Sequence, residues 1–315
     1  MIAVARVCAL AFLLTAQASP DLTLVRVGAA TDDQSKPVLY AQQAGLFAKA
    51  GLNVQVVPLN GGGAAIAAAV SGGSLDIGKA NTLLLITAHS RNLPFTAIAP
   101  GVITGASDHA AALIVPANSP LKTGRDFNGK TVGVTSLVTI ELLATRTFID
   151  RNGGDSSTVK FVEVAPSTSL AAMDQGRIDG ASILEPALSQ ALSTGRVRVF
   201  AYTYSAIAPR FDGADWFTTT DFAGKHRDVV AKFARVMHDA NVYVAAHETE
   251  TNPLVAAYAG IDLATLSNMH HVERPTYLNP AYIQPLIDAA VKYKFIAQPF
   301  PAQELINEYA LKPPR

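Results

Sequence analysis

The chain has 315 residues, 49% of them hydrophobic, with 25 Lys+Arg against 25 Asp+Glu and a formal net charge of zero. That balance, with no Lys/Arg run, excludes a nucleic-acid-binding stripe. A single cysteine excludes a disulfide framework.

The first residues read as an export signal. Arg6 supplies a positive charge and Val7 to Leu14 a short apolar core. Ala16-Gln17-Ala18 has the small-x-small pattern of a cleavage site. The apolar run is shorter than the roughly 20 residues that span a bilayer. Residues 1–18 are therefore expected to be a cleaved secretory signal, and the remaining chain a soluble periplasmic protein without cysteine. The residues ahead of Cys8, Ala5-Arg6-Val7, do not form a lipid-attachment motif.

Leu22 to Gly28 alternates and ends in Gly, which predicts the first strand. Ser35 followed by Pro37 marks a helix start, with the helix running through Val38 to Gln43 towards Gly45. Val54-Gln55-Val56-Val57 is a second strand. Asn60 to Gly63 opens an Ala-rich helix that stops at Gly72-Gly73, and a third strand follows. Such alternation of strand and helix predicts parallel strands with helical crossovers.

The phrase Gly73-Ser74-Leu75-Asp76-Ile77-Gly78 then returns in a second version, Gly176-Arg177-Ile178-Asp179-Gly180-Ala181. Each comes after an alternating strand and a helix, the earlier strand of the second copy being Val159 to Val162. Two α/β lobes of similar design follow from that repeat. The second lobe begins with the apolar strand Ala110 to Val115, closed by Pro116. It continues through Thr131 to Val134 into a helix starting at Thr135-Ser136. Val197 to Tyr202 is expected to be the strand that returns to the first lobe. Beyond Phe217 the pattern turns helical, with core stripes at Val229, Val230, Phe233, Val236, Met237 and at Ile283, Leu286, Ile287, Ala290, Val291.

The segment Tyr40-Ala-Gln-Gln-Ala-Gly-Leu-Phe-Ala-Lys-Ala-Gly-Leu-Asn-Val54 resembles the A-x-x-x-G-x-F-x-x-x-G-L-x-V stretch of solute-binding proteins. Those proteins serve ABC importers of nitrate, sulfonates, taurine and thiamine precursors. Gly73 to Gly78 and Asp126 to Val134 resemble further steps of that family in the same order. The resemblance implies an α/β type II periplasmic binding protein, a Venus-flytrap with two lobes and a two-strand hinge. Lobe 1 would be 19–108 and 205–315, and lobe 2 109–204. It further implies a monomer that hands one small molecule to permease and ATPase subunits in the inner membrane.

Ligands of open α/β sheets gather beyond the carboxyl ends of the strands, where helix N-termini offer unpaired N–H groups. The expected ligand-binding residues are Gln34 and Ser35 at the first helix, Gly62 and Gly63 at the second, and Asn81 and Thr82 after the third strand. In the far lobe they are Thr135, Ser136 and Glu185, and Trp216 completes the set. Ser35, Ser136 and the Asn81-Thr82 pair serve equally well as helix caps. Trp216 is either an aromatic wall of the cleft or an ordinary anchor. Asp32 and Asp33 against Lys36 and Lys79 leave the sign of the ligand open, while converging helix termini favour a small organic anion, a sulfonate, taurine or carboxylate.

No catalytic constellation is present. His247-Glu248 lacks a second histidine four positions on, and His270-His271 point apart in any regular element, so no metal or cofactor is expected. There is neither a G-x-S-x-G elbow nor a phosphate loop. The chain is expected to bind and not to catalyse. The alternatives are a pyrimidine (thiamine-precursor) binding protein, or an enzyme or a sensor on the same fold.

Overall fold

The computed structural model describes residues 22–59, 62–105 and 109–311. The export signal expected over 1–18 lies outside them, as does Gly61. In chain order the first part runs β1 (Thr23–Ala29), α1 (Lys36–Gln43), α2 (Leu46–Lys49), β2 (Leu52–Pro58), α3 (Gly62–Ser71), β3 (Ile77–Asn81), α4 (Thr82–Ser90) and β4 (Phe95–Gly105). There follow β5 (Ala111–Pro116), β6 (Thr131–Val134), α5 (Ile140–Arg151), β7 (Lys160–Glu163), α6 (Pro166–Asp174), β8 (Gly180–Leu184), α7 (Ala187–Ser193) and β9 (Val197–Ala201). The chain closes with β10 (Arg210–Thr219), α8 (Thr220–Lys225), α9 (Arg227–Ala246), α10 (Glu248–Ala259), α11 (Leu263–Asn268) and α12 (Pro280–Lys292).

These strands form two five-stranded sheets, ordered β2-β1-β3-β10-β4 and β7-β6-β8-β5-β9. In each, the first three strands are parallel, the fourth runs antiparallel between its two neighbours, and the fifth is again parallel to the first three. The sheets are thus copies of one design, and the repeated phrase is the splice that makes each. Gly73 and Gly176 adopt φ of +74° and +66°, a left-handed turn open to glycine, and so end α3 and α6. Three residues on, the aspartate exchanges bonds with the sheet's central parallel strand. Asp76 N donates to Arg26 O at 2.9 Å and its carboxylate accepts from Arg26 N at 2.7 Å. Asp179 does the same with Thr131, at 2.7 and 2.9 Å.

One sequence expectation about the return strand changes. Val197 to Ala201 is not the strand back to the first sheet; β9 pairs with β5, Pro116 opposite Val197, and lies at the edge of the second sheet. The return is β10, which runs against β4 from Arg210↔Gly105 to Thr219↔Phe95. The strands that leave and re-enter the first sheet, β4 and β10, therefore lie side by side. They pass so closely that a Cβ on Gly105 would stand 2.1 Å from Pro209 O.

Helices cover both faces of the first sheet. The stripe of α9 packs Val230, Phe233 and Met237, all 0% exposed, against β1, β3 and β4 with α1 beside it. The stripe of α12, Ile283, Leu286 and Ile287, meets α4, α5 and Phe211. Among the described residues no helix is long and apolar enough to cross a membrane.

Candidate functional site

Between the two sheets lies a cavity of about 580 Å³, a volume suited to a small organic ligand. From the first sheet it is lined by Asp32, Gln34, Gly62, Gly63, Lys79, Asn81 and Ala214, and from the second by Thr135, Ser136, Thr139, Glu141 and Leu184. The carboxyl ends of β3 and β6 and the N-termini of α3 and α5 converge there, as open α/β sheets dispose their ligand sites. Aliphatic groups, among them Leu84, Val102, Val138 and Ile140, make up much of the remaining wall.

Six of the ten residues expected from sequence line this cavity: Gln34, Gly62, Gly63, Asn81, Thr135 and Ser136. Asn81 does double duty, since its Oδ1 also caps α4 by accepting from Leu84 N at 2.9 Å. Thr135 and Ser136 sit in a loop and do not begin the helix. The helix α5 starts at Ile140 behind Thr139, whose Oγ1 accepts from Leu142 N at 3.3 Å.

The other four are turned elsewhere. Ser35 is fully buried, and its hydroxyl donates to Ala30 O at 2.6 Å, tying the loop that precedes α1. Thr82 is also buried and donates to Asp215 Oδ2 at 3.1 Å. The Glu185 carboxylate accepts from Ser189 N and Oγ at 3.0 and 2.7 Å, holding the first turn of α7. Trp216 is 1% exposed in the core under α9, edge-on to Phe233, and belongs to no wall of the cavity. A mid-strand position facing the α9 layer accounts for it, because that face of the sheet is filled by helix side chains.

The charged lining, Asp32, Lys79 and Glu141, lies outside the expected ligand set, Asp32 and Lys79 entering the sequence reading only as charges that leave the ligand's sign open. Lys79 is 4% exposed in β3, and among the described residues its Nζ meets Asp32 Oδ1 and Gln34 Oε1, both at 3.3 Å. Burial pushes its pKa down, opposed in part by Asp32. On the opposite wall Glu141, in the first turn of α5, is buried beside Tyr204, whose hydroxyl stands 3.3 Å away. Burial pushes its carboxyl up, against its own backbone N–H and Thr139. The signal in each case was a charge inside an apolar run, Gly78-Lys79-Ala80 and Ile140-Glu141-Leu142.

A second ionic group lies close by and has a structural explanation. Asp33, Glu248 and His271 stand within metal-binding distance of one another. However, Lys36 Nζ already lies 2.8 Å from Asp33 Oδ1 and 2.6 Å from Glu248 Oε2, and Arg274 bonds both carboxylates at 2.9 and 2.6 Å. Two cations balance two anions, and an ion would have to displace the Lys36 ammonium. Burial opposes ionisation of Asp33, yet His271, Arg274 and Lys36 together hold its carboxyl well below the ordinary range. The cluster ties α1, α10 and the 271–274 segment together behind the cavity.

The model of a family described as NMT1/THI5 like matches residues 32–251. The chain is 29% identical over 266 residues to the taurine-binding periplasmic protein of Escherichia coli strain K12, covering 81% of this chain and 79% of that one. Among solved structures it resembles the periplasmic aliphatic sulphonate binding protein SsuA of Escherichia coli (TM-score 0.73, 19% identity, 90% of this chain and 97% of that one). It likewise resembles the alkanesulfonate-binding protein SsuA of Xanthomonas axonopodis pv. citri bound to MOPS (TM-score 0.73, 17% identity, 92% and 99%). At these identities the structural likenesses bear on the fold, two α/β lobes about a cleft.

Proposed function

Because the chain belongs to the NMT1/THI5-like family, we propose that it captures a small organic sulfonate between its lobes and presents it to an ABC importer. The observation that carries this reading is Lys79. A lysine almost wholly removed from water, held by two long contacts and facing a cavity, is an incompletely compensated positive charge. An anionic head group completes it, and the glycine-lined N-terminus of α3 adds N–H groups and a favourable dipole of about 0.3–1 kcal/mol. The matched relatives that carry taurine and sulphonate in their names support the same ligand class.

Glu141 refines the choice within that class. It places a carboxyl on the wall opposite Lys79, and an aminosulfonate such as taurine would offer its ammonium there while its sulfonate meets Lys79. Simple alkanesulfonates would leave Glu141 to remain protonated against Tyr204. The protein would act in the periplasm as a monomer without cofactor, closing about the paired strands β4 and β10 when both lobes bond one ligand. Permease and ATPase subunits would then read the closed form.

Calorimetric titration with taurine, ethanesulfonate, nitrate, a hydroxymethylpyrimidine and a cationic amine tests this. The expected result is micromolar or tighter binding of a sulfonate without turnover of it. Binding of only the pyrimidine or the amine, or release of sulfite from the bound sulfonate, would overturn the reading.

A further inference from the structure

Beneath the cavity floor, β10 carries two acids that no cation among the described residues pairs with. Asp212 and Asp215 are each 1% exposed, and the residues between them, Gly213 and Ala214, line the cavity. The register of β10 against β4 shifts between Asp212 and Ala214 and again between Ala214 and Asp215, so this stretch is bulged. The two buried carboxyls act on each other's ionisation. Thr82 Oγ1 donates to Asp215 Oδ2 at 3.1 Å. Among the described residues, both oxygens of Asp212 and Oδ1 of Asp215 have no hydrogen-bond partner.

Charges on the surrounding elements are engaged elsewhere. On β3, Lys79 turns to Asp32 and Gln34. On β10 itself, Arg210 pairs with Glu273 and Tyr282. On α4, His89 meets Glu304; on α8, Asp221 pairs with Lys225; on α12, Asp288 accepts from Gln284 and Lys292 lies over the Tyr293 ring. The strand β4 and helix α3 contribute no ionisable side chain. Across the cavity Glu141 faces Tyr204.

Two neighbouring buried anions with one hydroxyl donor between them would be costly to desolvate and would repel strongly, and a proton held by the pair relieves both costs. We propose that Asp212 and Asp215 hold one shared proton under the cavity floor, and that an anion bound above Gly213 and Ala214 tightens its hold, coupling ligand capture to protonation. The shared proton stands on the burial of both acids and their want of donors, whatever the ligand; the coupling rests on the sulfonate reading. Burial raises both carboxyls, as the shared proton requires. The site would thus take up a proton as it takes up the anion, and bind less tightly as the solution becomes alkaline.

Trp216 is the protein's single tryptophan and adjoins Asp215, so its fluorescence reports this strand. Titrating the ligand-free protein over roughly pH 5–9, where buried carboxyls titrate, is expected to show an inflection. The Asp212→Asn/Asp215→Asn double variant should abolish it, and each single variant should shift it to lower pH, with urea unfolding confirming that the variants fold. A flat wild-type curve, or an inflection unchanged in the double variant, overturns the shared proton. Calorimetry with ethanesulfonate at alkaline pH, in two buffers of different ionisation enthalpy, tests the coupling. Wild type should take up as much as one proton and lose affinity by up to tenfold per pH unit; the double variant should do neither. Buffer-independent heats in the wild type overturn the coupling. If no sulfonate binds while the inflection persists, the sulfonate reading falls with the coupling and the shared proton stands.

Discussion

At the residue scale the cavity's character is set by two charges placed where burial makes them costly. Lys79 is desolvated and its contacts are long, so an anion gains from it what Asp32, itself 37% exposed, does not supply. Lys79→Met is expected to weaken ethanesulfonate binding about ten- to hundredfold, following the roughly 1.5–3 kcal/mol of a hydrogen bond to a charged group. Calorimetry on the folded variant decides it, and an unchanged Kd would remove Lys79 from the site. Glu141→Gln separates the two sulfonate types: taurine should lose affinity while ethanesulfonate holds or gains. A parallel change in both would place the ammonium elsewhere.

Asp33 lends itself to a pH argument of the opposite sign to the Asp212–Asp215 pair. Its carboxyl is held below the ordinary aspartate value of about 3.9. The folded state therefore binds fewer protons than the unfolded chain near that pH, and stability rises with pH there. The contribution is present above the ordinary value and is lost as pH falls through the lower folded one. Arg274→Met, which leaves Asp33 and Glu248 with Lys36 alone, should cost about 3–5 kcal/mol at neutral pH, as breaking a buried ion pair does. It should also make the Asp33 share of acid destabilisation shallower, because without Arg274 the folded carboxyl rises towards its ordinary value. Urea melts at pH 7 and pH 4 measure both.

At the element scale the repeated Gly-x-x-Asp phrase explains why each sheet closes as it does. The glycine ends a helix in a left-handed turn, and the aspartate then supplies both an N–H and a carboxylate to one residue of the neighbouring strand. A β-strand that must leave a helix and find a parallel partner at once has few local contacts to guide it, and this exchange pins the register. Asp76 also grips the Arg26 guanidinium at 2.7 and 3.0 Å, whereas Lys130 stands 3.4 Å from Asp179. Asp76→Ala is expected to destabilise by about 1–3 kcal/mol, more than Asp179→Ala does. Equal losses in urea unfolding would show that the backbone exchange and not the guanidinium carries the effect.

At the scale of the whole molecule, the proposed capture rests on two copies of one sheet, the first of which is left and re-entered by the paired strands β4 and β10. A ligand bonded by both halves stabilises the closed form over the open one. Moving a population from mostly open to mostly closed takes a preference of roughly 5.5 kcal/mol. Small-angle scattering should therefore show a smaller radius of gyration on saturation with the sulfonate that binds in calorimetry. Lys79→Met should need correspondingly more ligand for the same change. Scattering unaltered by a bound ligand would mean that the lobes do not close on it.

How much of this could be read from the chain depends on how local each signal is. Strand alternation, the Pro at the start of α1, the glycine stops and the helical stripes of α9 and α12 depend on neighbours a few residues away, and they placed most elements. The start of α5 was missed by four residues because Thr135-Ser136 and Thr139 offer the same capping hydroxyl, and only the path of the loop selects Thr139. The strand after Arg196 went to the wrong sheet for a similar reason, since an apolar pentapeptide carries no mark of its partner.

By itself, the sequence determined that this protein would be two related α/β halves with helix starts, one of them glycine-rich, following the strands of each half. Periodicity and turn chemistry are written residue by residue, and the repeat doubles the message. Tertiary structure alone decided which polar groups look into the space between the halves. It turned Ser35, Thr82 and Trp216 inward, set Glu185 to hold α7, and left Lys79 and Glu141 facing the cavity. Whether a side chain meets solvent, a helix or a ligand is settled by segments distant in the chain, because sheet neighbours such as β3 and β10 come together only when the fold is complete.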